Sequence, residues 1–227
     1  LGFNPNYGLE LGNSIVFSDS IPLFAFIFKL FKNFLPENFQ YFSLWIVLSV
    51  YLQLLFSYLI IFNLTKNFYF SVISIFFFIL APIFLHRSGI HLSLMGQWII
   101  LFSFYIELNN SKSKPILRGI NLILSSLIHF YFTIILIILN SLTYLFLLIE
   151  KKSLYKKVII EIILIYPLLL ITMYVAGYFM IRPEDGLGGG YGYFNLNLNS
   201  FFNPSGFNNS NSFNWSILMP KQPLNNG

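Results

Sequence analysis

Apolar blocks long enough to cross a lipid bilayer recur along this chain, and they limit its fold more than any motif does. A helix needs roughly 20 apolar residues to cross a hydrocarbon core of about 30 Å. Inside that core every backbone amide must find its partner within the protein, so apolar blocks of this length are read as helices. Clear blocks fall at residues 39–61, 68–84, 91–106 and 158–180, with a further pair hinged near His129 within 116–149. They amount to about six crossings, the fourth of them along the chain being short. Only 9% of the residues are charged, against about 25% in an ordinary soluble domain, too few to cover a soluble fold. The chain has no cysteine, which excludes disulfides and thiolate metal sites.

The first apolar stretch, residues 21–35, is interrupted by Lys29 and Lys32 and closed by Pro36. An interfacial helix, apolar face in lipid and lysines toward headgroups, suits it better than a span. The polar, turn-rich residues 2–19 look like neither a signal peptide nor a membrane helix, and the chain starts at Leu1. It is read as a piece of a longer protein.

Lys and Arg are retained on the cytoplasmic side during insertion. Alternate loops carry Lys66, then Lys112, Lys114 and Arg118, then Lys151, Lys152, Lys156 and Lys157, and these loops are expected to be cytoplasmic. The N-terminal segment and the tail after Met180 are then extracytoplasmic. Glu107 and Glu150 lie at cytoplasmic helix ends and Glu161 one turn from Lys157; the remaining acids, Glu10, Asp19, Glu37, Glu184 and Asp185, all lie outside, as do His86, His91 and His129. Groups able to move protons or hold phosphate thus gather at one surface. A transporter more typically places them near the bilayer midplane.

Asp19, in Val-Phe-Ser-Asp-Ser-Ile-Pro, reads either as a general base for an acceptor hydroxyl or as part of a helix N-cap before Pro22. The turn His-Arg-Ser-Gly-Ile-His, from His86 through Arg87 to His91, reads as a phosphate clamp or as an ordinary polar turn. If a helix begins near His91, then His91, Met95 and Trp98 share a face and the histidine looks into the bundle. His129, deep in an apolar run, marks either the functional tip of a tight hairpin or a point on one long tilted helix, followed by a loop, where it bonds to a neighbouring helix. The Gly-rich stretch from Arg182 to Phe194 follows a membrane helix rather than a strand and fits no dinucleotide or P-loop fingerprint.

Several short stretches, taken in order, resemble a family of bacterial multi-spanning membrane proteins of unknown function whose architecture looks like the GT-C class of glycosyltransferases. They are Asp19-Ser-Ile-Pro-Leu with Lys29, Phe39-Gln-Tyr-Phe-Ser-Leu-Trp45, Gln53, His91-Leu-Ser-Leu-Met-Gly-Gln-Trp98, His129-Phe-Tyr-Phe132, and Gly192-Tyr-Phe-Asn-Leu-Asn197 leading to Asn203-Pro204. The resemblance implies transfer of a sugar from a polyprenyl-phosphate donor at the outer face, with Asp19 as catalytic base. Arg87, His91, His129 and Tyr131 would bind substrate, and His86, Glu184 and Asp185 are secondary candidates. Phe130 stands where such hairpins carry proline, which leaves the turn less rigid.

The expected molecule is therefore an all-α, polytopic, GT-C-like bundle in the cell membrane. Residues 1–38 form an extracytoplasmic loop with an interfacial helix, 39–180 the bundle, and 181–227 an extracytoplasmic Gly/Asn-rich segment. Its partners are membrane lipid and a lipid-linked sugar, with no nucleic acid. A divalent cation is compatible with such a site, though no residue requires one. The rival reading is a transporter or flippase that moves the same lipid-linked sugar without chemistry.

Overall fold

The computed structural model describes residues 2–4, 13–109, 111–150 and 155–180, all within the unit Leu1–Met180. The Gly/Asn-rich segment 181–227, with Glu184 and Asp185, lies outside the described residues. Eight α-helices make up most of the described chain: α1 Pro22–Leu30, α2 Phe42–Thr65, α3 Phe68–Ile79, α4 Pro82–Ile90, α5 Trp98–Leu108, α6 Lys114–Ile128, α7 Phe130–Glu150 and α8 Tyr155–Ala176. A minimal antiparallel ladder, β1 Phe3–Asn4 on β2 Asn13–Ser14, precedes them.

Local chemistry explains the boundaries. Pro22 and Pro82 occupy first helical positions, where a missing N–H costs nothing. Asn67 caps α3 by accepting from the Phe70 amide at 3.1 Å. Pro82 also breaks the 68–84 block: it forces Ala81 out of the helical region (ψ 124°), so α3 and α4 meet at a 47° bend. Gly177, at φ +101°, ends α8, its amide donating back to the Met173 carbonyl.

The bundle has an apolar core that includes Trp98, Ile99, Leu122 and Leu136, but on α2 and α3 the polarity runs opposite to that of a soluble fold. On α2 the buried stripe is Trp45, Ser49, Gln53, Ser57 and Ile60, while Leu44, Val47, Tyr51 and Leu64 are exposed. On α3 the buried residue is Ser71, and Phe70, Ile73, Phe76 and Phe77 face outward. Small and polar side chains at helix contacts with large apolar ones outside is the arrangement lipid favours. Three helices, α2, α7 and α8, are long and apolar enough to cross a membrane, and the bent pair α3–α4 makes a fourth if counted as one span. This differs from the expected six. The 91–106 block divides into a 3-10 turn at Leu92–Met95 and an α5 of 11 residues, and α6, at 15 residues, reaches only about 22 Å at 1.5 Å per residue. The stretch read as interfacial forms α1 and a 3-10 turn at Lys32–Phe34, with Lys29, Leu30, Phe31, Lys32 and Phe34 exposed.

One end of the bundle is fastened by a buried ionic network. Arg118 on α6 holds Glu161 on α8 through two parallel bonds, Nε to Oε1 at 2.7 Å and a terminal nitrogen to Oε2 at 2.9 Å. Its other terminal nitrogen donates to Glu107 of α5 at 2.9 Å, and the Tyr144 hydroxyl of α7 donates to Glu161 at 2.9 Å. Four helices therefore meet on one guanidinium fork. The sequence placed Glu161 beside Lys157; its partner is Arg118, which sequence treated only as a loop charge.

Removing one member of such a pair leaves its partner charged and buried, which costs roughly 3–5 kcal/mol, whereas replacing both by apolar residues is often neutral. Arg118→Met should therefore lower the unfolding free energy of the detergent-solubilised protein by about that amount. Adding Glu161→Met should recover much of the loss. A single variant as stable as the parent would contradict the network.

Candidate functional site

At the opposite end of α6 the candidate residues gather around a loop that has little regular structure of its own. The Ser18 and Ser20 hydroxyls both donate to the Ile15 carbonyl, at 2.8 and 2.6 Å, and the Tyr41 hydroxyl donates to the Ser20 carbonyl. Ile21, fully buried, stands at φ +49°. A β-branched residue in the left-handed region costs on the order of 1–3 kcal/mol, and this one lies within the buried apolar cluster that includes Trp45 and Trp98.

This folded loop aims Asp19 at the turn after α4. Oδ2 accepts from the Leu92 amide at 2.7 Å; Oδ1 accepts from the Ser93 amide at 3.0 Å and from the Ser93 hydroxyl. The Trp45 indole donates to the Leu92 carbonyl at 2.7 Å, gripping the same turn from below. Asp19 is thus a cap, but of the 3-10 turn Leu92–Met95 rather than of α1, whose own N-cap position is Ile21 without a side-chain bond. His91 Nδ1 lies 3.8 Å from Asp19 Oδ2, and its side chain is 52% exposed. The face expected to carry His91, Met95 and Trp98 inward does not form: Met95 and Trp98 are buried and His91 is not. The 3-10 turn has three residues per turn and the α-helix starts only at Trp98, so the spacing of 3.6 residues per turn is lost between them.

Gly96 joins this turn to the hinge. A Cβ there would stand 2.7 Å from Ile128 Cγ2 and 3.1 Å from the Phe132 ring, so only glycine allows the start of α5 to lie against the α6–α7 junction. That junction is the single extended residue His129, φ −161° and ψ 140°, which realises the hinge read from sequence. Its amide closes α6 onto the Ser125 carbonyl at 3.0 Å, and its Nδ1 accepts from the Tyr131 amide at 3.2 Å, capping α7. The rigidity expected from a proline at 130 is supplied instead by this side-chain cap. The Tyr131 ring packs edge-on against the imidazole, centroids 4.6 Å apart.

Burial pushes the His129 imidazole below its ordinary pKa; the Asp19 carboxylate opposes this, and His91 and Arg87 reinforce it. Asp19, His91 and Arg87 are therefore each within electrostatic reach of His129. Of these four only Arg87 lines a cavity of about 450 Å³, with Gln97, Gln53 and Tyr131 in its wall among apolar residues such as Phe77 and Phe132; Asp19, His91 and His129 lie outside that lining. His86 is exposed and makes none of these contacts. Among the described residues no group of His, Asp and Glu is placed to hold a metal ion. Sequence reading missed Ser93 as the partner of Asp19, and no local pattern announces it.

A neutral Nδ1 is what caps α7, so protonation of His129 removes the cap. An imidazole whose pKa is lowered on folding binds its proton more readily in the unfolded chain, which begins to take it up near 6.5. The stability it supports is complete above that value and is lost as the pH falls through it. Between pH 7.5 and 5.5 the parent should lose melting temperature more steeply than His129→Asn, which caps without titrating. Equal slopes would show that His129 does not couple pH to folding.

No curated protein and no solved structure matches the chain. Over residues 1–227 it matches the family model described as Domain of unknown function (DUF6311), and the chain belongs to that family.

Proposed function

We propose that this chain is an integral membrane, GT-C-like glycosyltransferase, which transfers a sugar from a polyprenyl-phosphate donor at the outer face of the membrane. The observation that carries the reading is the convergence of Asp19, Arg87, His91 and His129 at one end of the bundle, beside a cavity that Arg87 and Tyr131 line. A carboxylate offers four lone-pair positions. Three donors fix that of Asp19, leaving one position on Oδ2, the oxygen that His91 Nδ1 approaches to 3.8 Å. In the proposed step the acceptor hydroxyl gives its proton to that oxygen while its own oxygen bonds to the sugar's anomeric carbon. The bond from that carbon to the donor phosphate breaks, and the departing polyprenyl phosphate keeps the electron pair. Arg87 meets its charge, with His91 alongside.

The outward orientation rests on charge. Lys66, Lys112, Lys114, Lys156 and Lys157 belong to the end opposite Asp19, even with Arg118 set aside as part of the buried network. The transporter or flippase reading draws on a different observation. Gln53 lies 11 residues into α2, about 16 Å from its start, and buried polar groups at such depth are common in transport paths.

Transfer needs no passage across the membrane, so detergent-solubilised protein should release polyprenyl phosphate from a sugar-loaded donor when acceptor is present. Arg87→Gln should lower that turnover about 10²-fold or more, with little change in melting temperature because Arg87 is only half-buried. A solubilised protein that turns over no polyprenyl-linked sugar, yet moves one between leaflets in vesicles, would replace the transferase reading with the flippase reading.

A further inference from the structure

The wall of the 450 Å³ cavity contains a buried acceptor with no partner. Gln53 is 4% exposed, lines the cavity, and its Oε1 has no hydrogen bond among the described residues. A buried carbonyl left in this state is destabilising, and a groove meant only for hydrocarbon would be better walled by leucine at this position. Gln97, one position before α5, brings a second amide to the same cavity, and Arg87 brings a cation. Phe77, Tyr131 and Phe132 add aromatic surface.

We infer that the cavity receives a hydroxyl-bearing head group rather than the hydrocarbon chain of a lipid, with the Gln53 amide bonding one of its hydroxyls and Arg87 pairing with its phosphate. The chemical class is a glycosyl phosphate: an anion for the guanidinium, hydroxyls for the amides, and C–H faces of a pyranose for the aromatic rings. The lipid chain then runs along the apolar outer surface of the bundle. This deepens the reading given above and rests on it for the identity of the donor, but it concerns binding alone.

The test compares three short-chain probes, geranyl phosphate and its glucosyl and mannosyl esters, by their shift of melting temperature and their Kd on the solubilised full chain. The parent should bind at least one sugar-bearing probe about tenfold more tightly than geranyl phosphate. In Gln53→Leu that preference should disappear while geranyl phosphate binds as before. Without ligand the variant should melt at or above the parent's temperature, because leucine removes an unpaired polar atom; a glutamine with a merely structural role would give a lower value. Equal binding of all probes by the parent, or an undiminished sugar preference in Gln53→Leu, would overturn the inference. Preference for the sugar-bearing probe without turnover would leave it standing and would count against the transferase reading alone.

Discussion

The carboxylate of Asp19 reaches across 73 residues of sequence to take the first two amides and the serine hydroxyl of the Leu92–Met95 turn. Amides at the start of a helical turn have no partner within it, and away from water they must find one elsewhere. A contact of this kind has consequences along the chain. The Asp19 loop is held by Tyr41 and Ile15, the turn by Trp45, and the turn leads through Gly96 to a close approach on Ile128 and Phe132. His129 is the next residue after Ile128. The placement of every candidate residue in this cluster therefore follows from where Asp19 is satisfied.

The two ends of the bundle treat charge differently. Around Arg118 every ionic partner is used: a bidentate bond to Glu161, a third bond to Glu107, and Tyr144 closing the remaining side. Such a knot fixes helix positions and leaves little free capacity for a ligand. At the Asp19 end the groups are looser. His91 is half exposed and 3.8 Å from its carboxylate, Arg87 borders a cavity, and Ile21 keeps a strained backbone. Spare hydrogen-bonding capacity and local strain belong more often to sites that act than to sites that only hold.

The helices could be read from the chain because their causes are local. Runs of apolar residues fixed α2, α7 and α8 within a few positions, and His129 stood out as a polar break where the hinge lies. The bend at Pro82 and the short α5 behind a 3-10 turn were less legible, since each depends on a few residues within a block that looks uniformly apolar. The pairing of Asp19 with Ser93, and of Arg118 with Glu161, was not legible at all. Both join helices distant in sequence, and a lone chain shows Arg118 only as a charge that orients a loop. For the same reason Asp19 looked like the cap of the helix beside it: capping chemistry was correctly read from the residue, but its partner is set by tertiary packing.

A double-mutant cycle on Asp19 and Ser93 measures the central contact most directly. Asp19→Ala and Ser93→Ala should each destabilise the solubilised protein, and the double variant should lose less than the sum, with a coupling of about 1.5–3 kcal/mol for a hydrogen bond to a charged group. Additive losses, with no coupling between the two positions, would mean that Asp19 does not hold the Leu92–Met95 turn and that the site is assembled by something else.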